Sequence, residues 1–175
     1  VRPLGIALVL ASLGAAAAAV ACYDPVHDQE VAALGPEAPG VSPGPTHRPG
    51  QPCNVCHGGI GPANLRFSVA GTIYQTSQPG SGGASGASVG LEDSTMSTWT
   101  AKTNSVGNFF VLQSDWAPKY PLSVPNVSYD GTTVSMSTID NRTGSCADCH
   151  TQSPGTNSQG QVYIQYTDAG TGGGG

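Results

Sequence analysis

The chain has 175 residues, room for one domain plus extensions, and carries 6 Lys+Arg against 11 Asp+Glu, a formal charge of −5. It contains no basic run or stripe, which argues against a nucleic-acid partner, because backbone phosphates are held by clustered Lys and Arg. Only 10% of residues are charged, and 25 Gly and 14 Pro make a turn-rich composition that stops short of full disorder.

Residues 1–21 read as an export signal. Arg2 is the sole charge before Asp24, and LGIALVLASLGAAAAAV fills the interval with small and apolar side chains. A run of this length can just span a bilayer. It is mostly Ala and Gly, however, and no basic stop-transfer cluster follows it. The next residues, AVAC at 19–22, resemble a bacterial lipobox, with Ala19 where Leu is commonest. That resemblance implies a lipid on Cys22, with two or more acyl chains, enough for stable anchoring. An ordinary signal cut nearby would leave Cys22 a stray thiol. Parity favours the lipid, since five cysteines divide into two pairs plus one.

Residues 22–52 follow as a Pro/Gly-rich tether. Ten of the eighteen residues in 35–52 are Gly or Pro, which disfavours helix and sheet alike and predicts an extended, semi-stiff spacer. Residues 53–66 hold the sequence CNVCH and a turn. From Phe67 onward short, mostly alternating apolar runs are separated by Gly, Asn, Asp or Pro: FSVAGTIYQ, ASVGLED, STWTAK, GNFFVLQ, YPLSVPNVSY and GTTVSMST. Strands at this spacing point to a β-sandwich over 67–140. Residues 141–167 carry the sequence CADCH and a last strand, QVYIQY, that could pair beside an edge strand. Residues 168–175 form a Gly-rich tail.

The strand segments VAGTIYQ, GASVGLED, TNSVGNFFV and YPLSVPNVSYDG resemble the carboxypeptidase regulatory-like family over about 70 residues. The resemblance implies an all-β fold, a seven-stranded Ig/transthyretin-like β-sandwich, here flanked by the two CxxCH loops. It implies a scaffold and no peptidase activity.

CNVCH at 53–57 and CADCH at 146–150 use four of the five cysteines, with eighty-eight residues between His57 and Cys146. Four chemistries employ Cys-x-x-Cys. A thioredoxin-like redox pair sits at a helix start near a βαβ unit, for which these strands leave no place. Two halves could close a four-cysteine zinc tetrahedron, which does not require the His after each pair. Two tight disulfides would staple little chain. Covalent c-type haem attachment accounts for every position: two thiols add to two vinyl groups, and the following His reaches the iron. An exported chain suits that attachment, since haem is added outside the cytoplasm. The two motifs therefore predict two covalently bound haem c groups.

In these motifs, and only there, the chain resembles small multihaem c-type cytochromes. The resemblance implies that Cys53 and Cys56 tether haem 1 with His57 as axial ligand, and that Cys146 and Cys149 tether haem 2 with His150. For the opposite axial positions, His47 is a candidate, six residues before Cys53 with Pro and Gly between to turn the chain. It could serve haem 1, or haem 2 if the haems lie close. Asp140 occupies the matching place before the second motif, so haem 2 has no local His. Met136, ten residues before Cys146, is a weaker distal candidate. Met96 is another, and His27 reads as a solvated residue.

The sequence thus predicts a dihaem c-type cytochrome that carries electrons, with redox proteins as partners and the membrane reached through a lipid anchor. Its expected place is the bacterial cell envelope, periplasmic or at the outer-membrane surface. Two alternatives stay open: a β-sandwich binding module with zinc or disulfides at the Cys pairs, and a haem peroxidase or gas sensor at an open haem 2.

Overall fold

The computed structural model describes residues 24–37, 39–78, 80–151 and 158–165. The export signal and Cys22 lie outside the described residues. The chain divides into two compact units, Val1–Ala33 and Leu34–Gly175. In the first, helix α1 spans Pro25–Ala33. Asp24 starts it by accepting the Val26 and His27 amides on Oδ1, 3.1 Å each, and Pro25 has the fixed φ suited to a first helical residue. His27 faces Glu30 one turn on, 3.9 Å away. The extended tether expected here is therefore a helix in its first part; the Asp-Pro start and the Ala-rich end are the local reasons it coils. No helix among the described residues is long and apolar enough to cross a membrane.

The second unit is mostly β. Its strands are β1 (Phe67–Thr76), β2 (Ser88–Glu92), β3 (Thr98–Lys102), β4 (Asn108–Leu112), β5 (Ser123–Tyr129), β6 (Thr132–Val134) and β7 (Val162–Gln165). They form a three-stranded sheet, β4-β1-β7, and a four-stranded sheet, β3-β2-β5-β6. All pairs are antiparallel except β1 with β7, where Ile73 lies opposite Val162 and Tyr74 opposite Tyr163. One apolar cluster draws on both sheets: Val69, Ile73, Phe109, Val111 and Ile164 from the first, Val89, Leu91, Ala101, Val124 and Val127 from the second.

Two features differ from the sequence reading. Among the described residues six strands precede the second CxxCH and a seventh follows it, so that motif is an insertion between β6 and β7 rather than a flank. A parallel neighbour cannot be reached by a tight turn, and the long β6–β7 connection that this demands is where the motif sits. Strand β1 also departs from simple alternation, since its residues from Val69 to Ile73 are all buried. It is the central strand, with the core on one face, so its other face must be covered by something else.

Candidate functional site

The cover on β1 is the chemistry-bearing part of the chain. CNVCH forms a short helix, α2 (Cys53–His57), begun after Pro52 and closed by the Gly58 amide on the Asn54 carbonyl at 2.8 Å. Helical spacing puts residues i, i+3 and i+4 on one face, which gathers Cys53, Cys56 and His57. The His57 ring stacks on Phe67, with centroids 4.1 Å apart and planes 9° apart, and Phe67 stacks on Phe110 at 4.7 Å. His57 Nδ1 lies 3.0 Å from the Leu65 carbonyl. A carbonyl only accepts, so Nδ1 carries the proton and Nε2 keeps its lone pair. Burial, above all, lowers the His57 pKa, which favours that neutral ring.

CADCH is built differently. Asp140 accepts the Arg142 and Thr143 amides on Oδ1 and the Gly144 amide on Oδ2, at 3.0, 3.1 and 2.6 Å, folding the chain toward β1. Gly144 has φ +61, and a Cβ there would meet the Ser68 carbonyl oxygen, so only glycine fits. The Ala70 amide donates to the Gly144 carbonyl at 2.8 Å, and Ser145 bridges Ala70 in parallel. A 3-10 turn, Cys146–Asp148, then brings His150 round, its Nδ1 2.9 Å from the Gly160 carbonyl. Both motif histidines therefore have Nδ1 committed to a backbone carbonyl.

The two motifs are neighbours. Asn54 in α2 donates Nδ2–H to the Thr143 carbonyl at 2.8 Å. Cys146 packs over Gly71, where an added Cβ would stand 2.8 Å from the Cys146 Cβ. Burial first, then Asp140, Cys53 and Asp148, pushes the Cys146 thiol up to about 12; burial and then Cys56 push Cys53 up to about 11. Both stay protonated near neutrality. All four motif thiols are free, and Cys149 is exposed. Among the described residues no three or more His, Cys, Asp or Glu side chains are grouped to hold a bare metal ion. The zinc alternative thus finds no assembled set of four thiols there.

His47 and Met136 keep different company: the first neighbours His57, the second Cys146 and His150. The His47 ring stands 5.9 Å from that of His57, nearly perpendicular at 79°. Its loop, in the second half of the expected tether, is docked rather than extended. Asn108 Nδ2 donates to the His47 carbonyl at 2.9 Å and to that of Pro45 at 3.3 Å, while the Gly50 amide donates to Thr72 Oγ1 at 2.8 Å. Thr72 in turn donates to Asn108 Oδ1 at 2.7 Å, so two buried polar side chains are satisfied by each other and by this loop. Met136 lines a cavity of about 270 Å3 together with Cys146 and His150, walled by Ile73, Phe109, Val124, Val127 and Val162. Met96 is exposed at the tip of the β2–β3 turn and belongs to neither group.

Sequence reasoning did not single out Phe67, Thr72, Asn108 or Glu37. The only hint was polar residues within strands where alternation assigns them to solvent; the loop that covers them has no periodicity of its own. No family model matches the chain, and no curated protein or solved structure matches it either.

Proposed function

We propose that the chain is an extracytoplasmic, membrane-anchored dihaem c-type cytochrome that transfers electrons at the cell envelope. Cys53 and Cys56 would tether one haem c with His57 on its iron, and Cys146 and Cys149 a second with His150. The observation that carries this reading is the pairing of the motifs on β1, each with a histidine whose Nδ1 is tied back and whose Nε2 is left for a metal. Second-shell hydrogen bonds of this kind fix ring orientation and raise ligand basicity. The haem supplies the redox chemistry, and the protein holds it and sets its potential.

The residues around the two motifs would hold the two macrocycles in different ways. His57 and His47, whose rings are 5.9 Å apart, would be the residues to hold the iron of haem 1, and Phe67 and Phe110 would supply an apolar flank. The cavity of about 270 Å3 beside Cys146 lies just below the roughly 300–1,000 Å3 of small-molecule pockets, and His150 and Met136, which both line it, would be the residues to hold the iron of haem 2. Two-His ligation favours a lower potential and a Met ligand raises it. The scaffold is read as a seven-stranded Ig/transthyretin-like β-sandwich of the carboxypeptidase regulatory-like kind, lipid-anchored at Cys22. The adjacency of the motifs supports direct exchange between the haems, with external redox proteins at either end.

The test is the intact mass of full-length protein produced with a c-type maturation system, before and after acid-acetone extraction. Two added haem masses that survive extraction are expected. An unshifted polypeptide mass would sink the proposal, and a single haem would leave one motif without its assigned role.

A further inference from the structure

Among the described residues, the charged side chain that hydrogen-bonds a candidate iron ligand is Glu37. Its Oε1 accepts from His47 Nδ1 at 3.0 Å and from Arg48 Nε at 2.9 Å. Arg48 is itself held on three further sides, donating to the Leu34 and Gly35 carbonyls at 3.1 and 2.6 Å and to Gln51 Oε1 at 2.8 Å. Its backbone sits at φ +50, a conformation a non-glycine residue keeps only when its surroundings insist. Among the described residues Glu37 Oε2 is buried and takes no hydrogen bond, an unusual arrangement for a carboxylate and one that calls for a reason. The 34–51 segment therefore closes on itself through Glu37 and Arg48, and docks on β1 and β4 through Thr72 and Asn108.

We infer that Glu37 is a positioning residue for His47, fixing its Nδ1–H tautomer and strengthening Nε2 as an iron ligand. This rests on the reading of His47 as the second axial ligand of haem 1. The ring nitrogens tied back at His57, His150 and His47 are not equivalent: the first two face neutral carbonyls, whereas His47 faces a carboxylate. A charged acceptor draws the Nδ1 proton harder and leaves more electron density at Nε2. A stronger donor favours the ferric over the ferrous state, so Glu37 lowers the potential of haem 1. Arg48 limits the effect by sharing the same carboxylate oxygen.

The experiment uses the haem-loaded full-length chain, with ferric EPR and spectroelectrochemical titration of wild type, H47A, E37Q and E37D. H47A is expected to take one haem from low spin to high spin. E37Q keeps that haem low-spin, raises its midpoint alone, and lowers about 10- to 100-fold the concentration of added imidazole needed to displace His47. E37D, which retains the carboxylate, restores most of the wild-type midpoint. An E37Q midpoint and imidazole titration equal to wild type, with H47A high-spin, overturn the inference and leave His47 ligation standing. An H47A spectrum unchanged from wild type removes the ligation reading, and the inference with it. High spin in both E37Q and E37D reduces Glu37 to a loop brace and overturns its electronic role.

Discussion

The same five-residue pattern occurs twice, and the chain builds it in two unlike ways. CNVCH is a helical turn on the outer side of β1, reached by a polar route: Thr72, Asn108, Glu37 and Arg48 hold the loop above it, and Phe67 and Phe110 floor it. CADCH begins a 3-10 turn just after Ser145 bridges β1 in parallel, with Cys146 half-buried against Gly71 and an apolar cavity beside His150. Motifs that match in spacing and in the final His thus differ in the charge, burial and side chains around them. What the motif repeats is the Cys-x-x-Cys-His spacing; what distinguishes the two copies is the part of β1 each is folded onto.

Strand β4 divides that surface, and adjacent residues on it separate the two sites. Phe109 points into the core and the cavity, and Phe110 is exposed on the stack that carries His57. Phe109→Ala is expected to lower stability by about 3–5 kcal/mol through lost burial and an enlarged cavity. Phe110→Ala should cost about 0.5–1.5 kcal/mol, the worth of an aromatic pair. Urea unfolding of the two variants measures both; equal losses would mean that β4 does not partition the sites. Gly71→Ala comes next. Its Cβ would stand 2.8 Å from the Cys146 Cβ and 3.0 Å from Phe109, an overpacking worth about 1–3 kcal/mol. It should speed alkylation of Cys146 in the haem-free protein while leaving Cys53 unchanged, read by peptide mass mapping.

Asn108→Ala probes the other site. It removes the donor to the His47 and Pro45 carbonyls and leaves the Thr72 hydroxyl without its acceptor, at a cost of about 1–3 kcal/mol. Hydrogen exchange should rise at the Gly50 amide, which is held by Thr72, and stay as in wild type at the Ala70 amide, which is held by Gly144. Faster exchange at both would show that the two motif platforms open as one unit.

Much of this was legible in the sequence, and unevenly so. The runs FSVAGTIYQ, ASVGLED, STWTAK, GNFFVLQ and QVYIQY each became a strand because alternation and turn residues agree there with the fold. The two CxxCH motifs stand out in the sequence for a different reason, since the same spacing and final His occur twice and use four of the five cysteines. What could not be read was the company each motif keeps. Thr72 and Asn108 look like solvent-facing strand residues until the loop of 45–50 is laid over them. Glu37 sits among prolines and glycines, where pattern carries no information about tertiary contacts. The β1–β7 parallel pair is a long-range choice, and it converted an expected flanking loop into an insertion.

The comparison has a natural control in the sheet that carries neither motif. Asp93, in the turn between β2 and β3, accepts the Lys119 amide on Oδ2 at 3.0 Å, and on Oδ1 the Thr95 hydroxyl and the Thr95 and Ser97 amides at 2.7, 2.8 and 3.0 Å. These bonds, the Lys119 amide foremost, hold its pKa at about 2 against an ordinary 3.8. A depressed folded-state pKa means the unfolded chain takes up the proton first. The stabilisation is therefore complete above about pH 4 and is lost as pH falls toward 2. Asp93→Asn should flatten the acid limb of the stability profile between those values, followed by urea unfolding at each pH, with little effect on how the profiles of Gly71→Ala and Asn108→Ala differ from each other. Parallel acid limbs in wild type and Asp93→Asn would show that the Asp93 turn does not set the acid sensitivity, and would tie the stability of the two sheets together rather than apart.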